Sequence, residues 1–111
     1  MEELSKDYYD LVVLSGGFDP LHAGHIRLIR AAADKGLRVW VFLNTDEWLT
    51  RKKGFVFQKW NERKEMVEGL KGVEKVMPVN DRDDSVCKGI QSLYDYCGTK
   101  ISIAFANGGD R

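Results

Sequence analysis

The chain lacks an excess of charge of either sign: its 111 residues carry 17 Lys and Arg against 17 Asp and Glu. Nucleic-acid binders normally show a basic surplus, so that partner class is disfavoured. Long apolar runs are missing as well. The longest, such as Val39 to Leu43, are far too short to span a bilayer, so no membrane partner is expected. The first ten residues, MEELSKDYYD, are acidic and have no apolar centre, unlike a signal peptide. Cysteine is scarce. Cys87 and Cys97 make no C-x-x-C pair, and two such thiols without a signal peptide read as reduced packing residues of a cytoplasmic protein. No internal repeat, low-complexity tract or interdomain linker interrupts the chain. Residues 1–111 are therefore expected to form a single domain.

What is present alternates between two kinds of segment. Asp10 to Ser15 and Arg38 to Asn44 are short, β-rich and nearly continuously apolar, the pattern of strands covered on both faces. Between them Ala23 to Lys35 spaces its apolar residues (Ile26, Leu28, Ile29, Ala32, Ala33) as a helix does, and Gly36 can stop it. The pattern repeats. A helix is expected over Trp60 to Leu70 with Met66, Val67 and Leu70 inward, and a third strand over Val73 to Val79. A further helix is expected over Asp84 to Tyr96, capped by Asp84 or Ser85, and a fourth strand over Lys100 to Ala106. Such alternation predicts a doubly wound, Rossmann-like α/β sheet. The order 3-2-1-4 follows if the loop after strand one is to sit at a switch point beside strand four. The irregular segments are Gly16 to His22, Arg51 to Lys59, Asn80 to Asp83 and Asn107 to Arg111. Most of them lie at the carboxyl ends of strands, where these sheets bind ligands.

The loop after strand one carries the chemistry. In Ser15-Gly-Gly-Phe-Asp-Pro-Leu-His-Ala-Gly-His25, Gly16 and Gly17 let the backbone turn sharply and approach an anion closely. A helix opens within a few residues, and its free N–H groups form an anion site. His22 and His25, three apart, can lie on one helix face, with Gly24 leaving space between them. A neutral imidazole donates one directed hydrogen bond. Two of them can grip an α-phosphate oxygen more tightly as charge builds during an in-line displacement. The spacing suits a phosphate cradle better than a zinc site, since Asp19 is nearby but no third strong ligand is evident. Trp40 and the Met66 stripe read as core. Asp81, Asp83 and Asp84 read as a solvated loop and a helix cap.

Gly17-Phe18-Asp19 followed by His22-Ala23-Gly24-His25 resembles the G-x-F-D-x-x-H-x-G-H signature of the cytidylyltransferase-like nucleotidyltransferases. The resemblance extends through Asn44-Thr45-Asp46, Lys52-Lys53-Gly54, Glu62-Arg63-Lys64, Lys71 and Gly108-Gly109-Asp110. It implies transfer of a nucleoside monophosphate from CTP or ATP to a phosphorylated small molecule. By that similarity His22, His25 and Lys53 would be catalytic. Gly16, Gly17, Phe18, Asp19, Gly24, Gly109 and Asp110 would bind the nucleotide, and Lys52, Arg63 and Lys71 would contact phosphoryl groups. Magnesium would arrive on the triphosphate, with no dedicated protein cage. CTP is favoured by the Glu-Arg-Lys helix, while Leu43 to Asp46 and Asn107 to Asp110 lean toward an adenylyltransferase on a sugar phosphate.

The family continues past its Gly-Asp into another strand and a triphosphate loop, whereas this sequence stops at Arg111. The expectation is a domain truncated at its C-terminus, or else a divergent minimal member, whose open edge a homodimer or a longer parent chain would cover. A non-catalytic nucleotide-binding module is the alternative from another class. A fragment of a class I aminoacyl-tRNA synthetase is disfavoured by the length, the zero net charge and the lack of a K-M-S-K-S-like loop.

Overall fold

A computed structural model describes residues 9–79 and 102–107. The helix expected over Asp84 to Tyr96, both cysteines, and the segment from Gly108 onward with Gly109 and Asp110 lie outside the described residues. So do the features on which the truncation and homodimer expectations rest.

Four strands, β1 (Tyr9–Gly16), β2 (Gly36–Leu43), β3 (Lys75–Pro78) and β4 (Ile103–Asn107), form one sheet in the order β3-β2-β1-β4. Every neighbouring pair runs parallel. β1 lies inside the sheet, paired from Leu11 to Ser15 with β2 on one side and β4 on the other. That arrangement accounts for its unbroken apolar character: its residues alternate between two covered faces. Val12 and Leu14 join Val39, Val41 and Leu43 in a cluster closed by Ile29 and Ala32 of α1 (Ala23–Lys35) and Val67 of α3 (Trp60–Glu68). Leu11 and Val13 turn to the other face, with Phe42, Val79 and the half-buried Trp40 and Phe105.

The α1 helix has the span that its spacing predicts. Gly36 ends it in extended geometry and is also the first residue of β2, so helix and strand meet without a loop. A Cβ on Gly36 would lie 2.5 Å from a Val12 methyl, a closeness that only glycine permits.

Two expectations need correction. The segment from Arg51 to Lys59 is not irregular throughout, because Asp46–Lys53 forms a further helix, α2. Its Thr45 hydroxyl caps Trp48 N–H at 3.1 Å, acidic Asp46 and Glu47 open it, and Arg51, Lys52 and Lys53 close it. Gly54 ends it at φ 86°, the left-handed geometry that favours glycine. Met66 is 40% exposed rather than inward. The buried positions of α3 are Arg63 and Val67, with Leu70 packed just beyond its end. Among the described residues no helix is long and apolar enough to cross a membrane.

Candidate active site

The sheet brings the ends of β1 and β2 side by side, and Asn44 N–H extends their pairing by bonding Gly16 C=O at 3.0 Å. The chain then turns through Gly17 to His22 before entering α1. Phe18 sits at φ 51° with its side chain fully buried, its ring centroid 4.6 Å from that of His25. Phe18 therefore offers a ligand its main chain only. A Cβ at Gly17 would come within 2.7 Å of Leu49 Cδ2, so the glycine is set by the packing of α2 as much as by any anion.

His22 and His25 occupy the opening turn of α1 and fasten each other. The Nδ1 of His22, the N-cap residue, accepts the Gly24 N–H at 3.0 Å, and the Nδ1 of His25 accepts the His22 N–H at 3.2 Å. An accepting Nδ1 carries no proton, so each neutral ring holds its proton on Nε2. The rings stack with centroids 3.9 Å apart and 28° between planes. His22 is exposed and His25 is 2% exposed. Gly24 makes this geometry attainable. A Cβ there would stand 2.9 Å from His22 Cε1, inside contact distance.

Asp19 and Arg63 are both buried and both bind main chain. The Asp19 carboxylate accepts Phe57 N–H and Gln58 N–H, each at 2.8 Å, and lies 3.3 Å from the Lys53 ammonium. That ammonium also donates to the Asp19 carbonyl. It stands 5.3 Å and 5.5 Å from the ring centroids of Phe55 and Phe57, within cation–π range. Arg63, 1% exposed, donates to the carbonyls of Gly17 and Asn44 at 2.8 Å and of Gln58 at 2.9 Å. Its remaining arm pairs with the Asp46 carboxylate at 2.6 Å. Trp60 Nε1–H donates to Leu43 C=O at 3.1 Å, holding the start of α3 against the end of β2.

The structure thus gathers Gly16, Gly17, Asp19, His22, Gly24, His25 and Lys53 at the carboxyl edge of the sheet. Lys52 lies one residue away, exposed, its ammonium 5.7 Å from the Trp48 ring. Arg63 reaches the same edge from below, through protein oxygens. Lys71 does not join them. It stands next to Gly72, whose Cβ position lies 3.2 Å from Ala33 near the end of α1, at the amino edge of the sheet. α3 has by then carried the chain back across the face. Phe55, Phe57 and Gln58 are what the sequence reading missed, for the loop they share has no periodicity to mark it. Among the described residues no group of three His, Cys, Asp or Glu side chains is placed to hold a metal ion.

Residues 13–98 match the family model described as cytidylyltransferase-like. The chain is 37% identical over 67 residues to a glycerol-3-phosphate cytidylyltransferase of Staphylococcus aureus, a match covering 60% of this chain and 51% of that one. A bifunctional protein HldE of Gluconobacter oxydans is 39% identical over 69 residues, covering 60% of this chain and 14% of that one. The match thus spans about half the length of the first relative and far less of the second. Among solved structures, a lipopolysaccharide core biosynthesis protein from Thermoplasma volcanium superposes with a TM-score of 0.64 at 19% identity. That superposition covers 87% of this chain and 95% of the other, a likeness of fold.

Proposed function

Since the chain belongs to the cytidylyltransferase-like family, we propose that it transfers a nucleoside monophosphate, CMP before AMP, from a nucleoside triphosphate to a phosphorylated small molecule. In this reading an oxygen of the acceptor phosphate attacks the α-phosphorus in line. The bond from that phosphorus to the bridging oxygen of the β-phosphate breaks, and pyrophosphate leaves with the electron pair.

One observation carries the reading. Both Nδ1 atoms of the histidine pair are engaged by N–H groups of their own turn. Each neutral ring is thereby assigned an Nε2–H, on the exposed ring of His22 and buried on that of His25, and the stacked pair stands where a helix opens at the end of an interior strand. Donors fixed in advance stabilise charge as it develops on a non-bridging oxygen, with no reorganisation at the moment of reaction. Lys53, at the lip of the same turn and held there by Asp19, supplies a positive charge, and Lys52 stands beside it. Magnesium enters this reading bound to the triphosphate. The described carboxylate nearest the turn, Asp19, is already committed to two N–H groups and an ammonium, which fits an ion brought by its substrate. Its chemistry would be to neutralise the phosphate oxygens. The cytoplasm is the compartment proposed for the reaction, since two cysteines that make no C-x-x-C pair read as reduced thiols.

The cytidylyl preference draws on the likeness to the glycerol-3-phosphate cytidylyltransferase. The decisive experiment is a pyrophosphate-release screen of CTP, ATP, GTP and UTP against phosphorylated alcohols and sugars. CTP with a polyol phosphate is the expected pair. Release with ATP and a sugar phosphate would move the assignment to the adenylyl branch. Nucleotide binding with no release above a His22→Ala/His25→Ala control would leave a binding module.

A further inference from the structure

We infer that Asp19 and Arg63 are positioning residues that grip the main chain of one residue through the peptide units on its two sides and, through it, set the place of Lys53. The residue at issue is Gln58. Its N–H donates to Asp19 Oδ1 and its C=O accepts from Arg63 Nε. Asp19 also takes the Phe57 N–H, so two successive amides converge on one carboxylate. The loop Gly54 to Lys59 has no regular structure of its own, and these bonds are what tie it to the sheet.

Both grips are buried charges. The side chains of Asp19 and Arg63 have no exposed surface, and a buried charge is tolerated only where it is paired and hydrogen-bonded. Asp19 is paired with Lys53, and Arg63 with Asp46. For Arg63 to reach a phosphoryl group it would have to abandon the carbonyls of Gly17, Asn44 and Gln58, leaving buried acceptors without donors. It therefore acts through the protein. Its three carbonyl partners follow β1, follow β2 and precede α3, so one guanidinium fixes the relative heights of three loops at the carboxyl edge. Asp19 completes the arrangement by holding the loop that follows Lys53 and the ammonium of Lys53 itself.

The kinetic part of the test rests on the transfer reading above; amide exchange does not. Asp19→Asn, Arg63→Lys and the double variant are compared with the full chain. The readouts are amide exchange at Phe57 and Gln58, CTP affinity by calorimetry, and kcat with KM. Exchange at the two amides is expected to quicken by about tenfold or more in each variant, and kcat to fall by a similar factor, while CTP affinity stays within about threefold. The double variant is expected to fall little below the worse single one, because both substitutions loosen the same residue. Affinity that drops in step with kcat would mean direct contact with the nucleotide and overturn the inference. So would wild-type exchange at Phe57 and Gln58. Should Arg63→Lys fail to fold, Asp46→Asn removes only the charged partner of that arm and is read the same way. If the wild-type chain releases no pyrophosphate with any pair, the transfer reading fails, and amide exchange alone judges the grip.

Discussion

His22 and His25 lie ring against ring at 3.9 Å, and each keeps its Nδ1 occupied by a main-chain N–H of the turn that carries them. The pair is thus built by the helix start itself. Capping, tautomer and stacking are one arrangement, and a substitution that preserves the cap separates structure from chemistry. His22→Asn keeps an N-cap acceptor but removes the Nε2 donor. The helix is expected to persist by circular dichroism while turnover falls by about a hundredfold or more. Unchanged turnover would take His22 out of the mechanism.

His25 differs from His22 in burial. At 2% exposure and 4.6 Å from the Phe18 ring, it is also part of the packing. His25→Ala is expected to lose turnover by about a hundredfold and to destabilise by about 2 kcal/mol. His22→Ala should show the first loss with a smaller second one. Urea titration of both variants beside their kinetics checks the contrast.

Gly24→Ala tests ring placement alone. The new Cβ would stand 2.9 Å from His22 Cε1, and the exposed imidazole is what would yield. Stability is expected to change by less than about 1 kcal/mol, since Ala favours the helix. Turnover should drop by about tenfold, in keeping with a misplaced donor. A loss of melting temperature with normal turnover would reverse the assignment.

Gly17→Ala probes the neighbour across the turn. Its Cβ would meet Leu49 Cδ2 at 2.7 Å, and overpacking of this kind costs about 1–3 kcal/mol. Leu49→Ala in the same chain should recover part of that loss. Absence of any coupling in the double variant would show that the turn, rather than α2, gives way.

Lys53 and Lys71 separate the two edges of the sheet. Lys53→Met is expected to lower kcat by about tenfold or more and to cost about 1–3 kcal/mol of stability, as the buried Asp19 carboxylate keeps its two N–H donors but loses its ammonium partner. Lys71→Ala, at the opposite edge, should leave kcat and KM at wild-type values. A kinetic defect in Lys71→Ala would show that substrate reaches farther than this geometry allows.

The strand order and the span of α1 were legible because burial on two faces writes continuous apolar runs, and a long helix between a turn and a glycine writes its own limits. α2 escaped notice because eight residues with two buried apolar side chains, Trp48 and Leu49, leave little period to see. Its cap and its closing Gly54 were nonetheless in the sequence. The inner face of α3 was misread for a different reason. Its buried spacing runs Arg63, Val67, Leu70, and an arginine in an apolar stripe hides the stripe, so Met66 took its place. At the turn, the glycines and histidines announced an anion site. The inward direction of Phe18 and the commitment of Asp19 to a loop nearly forty residues away depend on tertiary contacts that no local pattern encodes.

Three of the four side-chain hydrogen bonds described for Arg63 end on main-chain carbonyls. A carbonyl is the same whatever side chain it accompanies, so the grip is indifferent to heredity at the positions it holds. A substitution at Asn44 or Gln58 that leaves the main chain in place therefore leaves Arg63 its carbonyl acceptors.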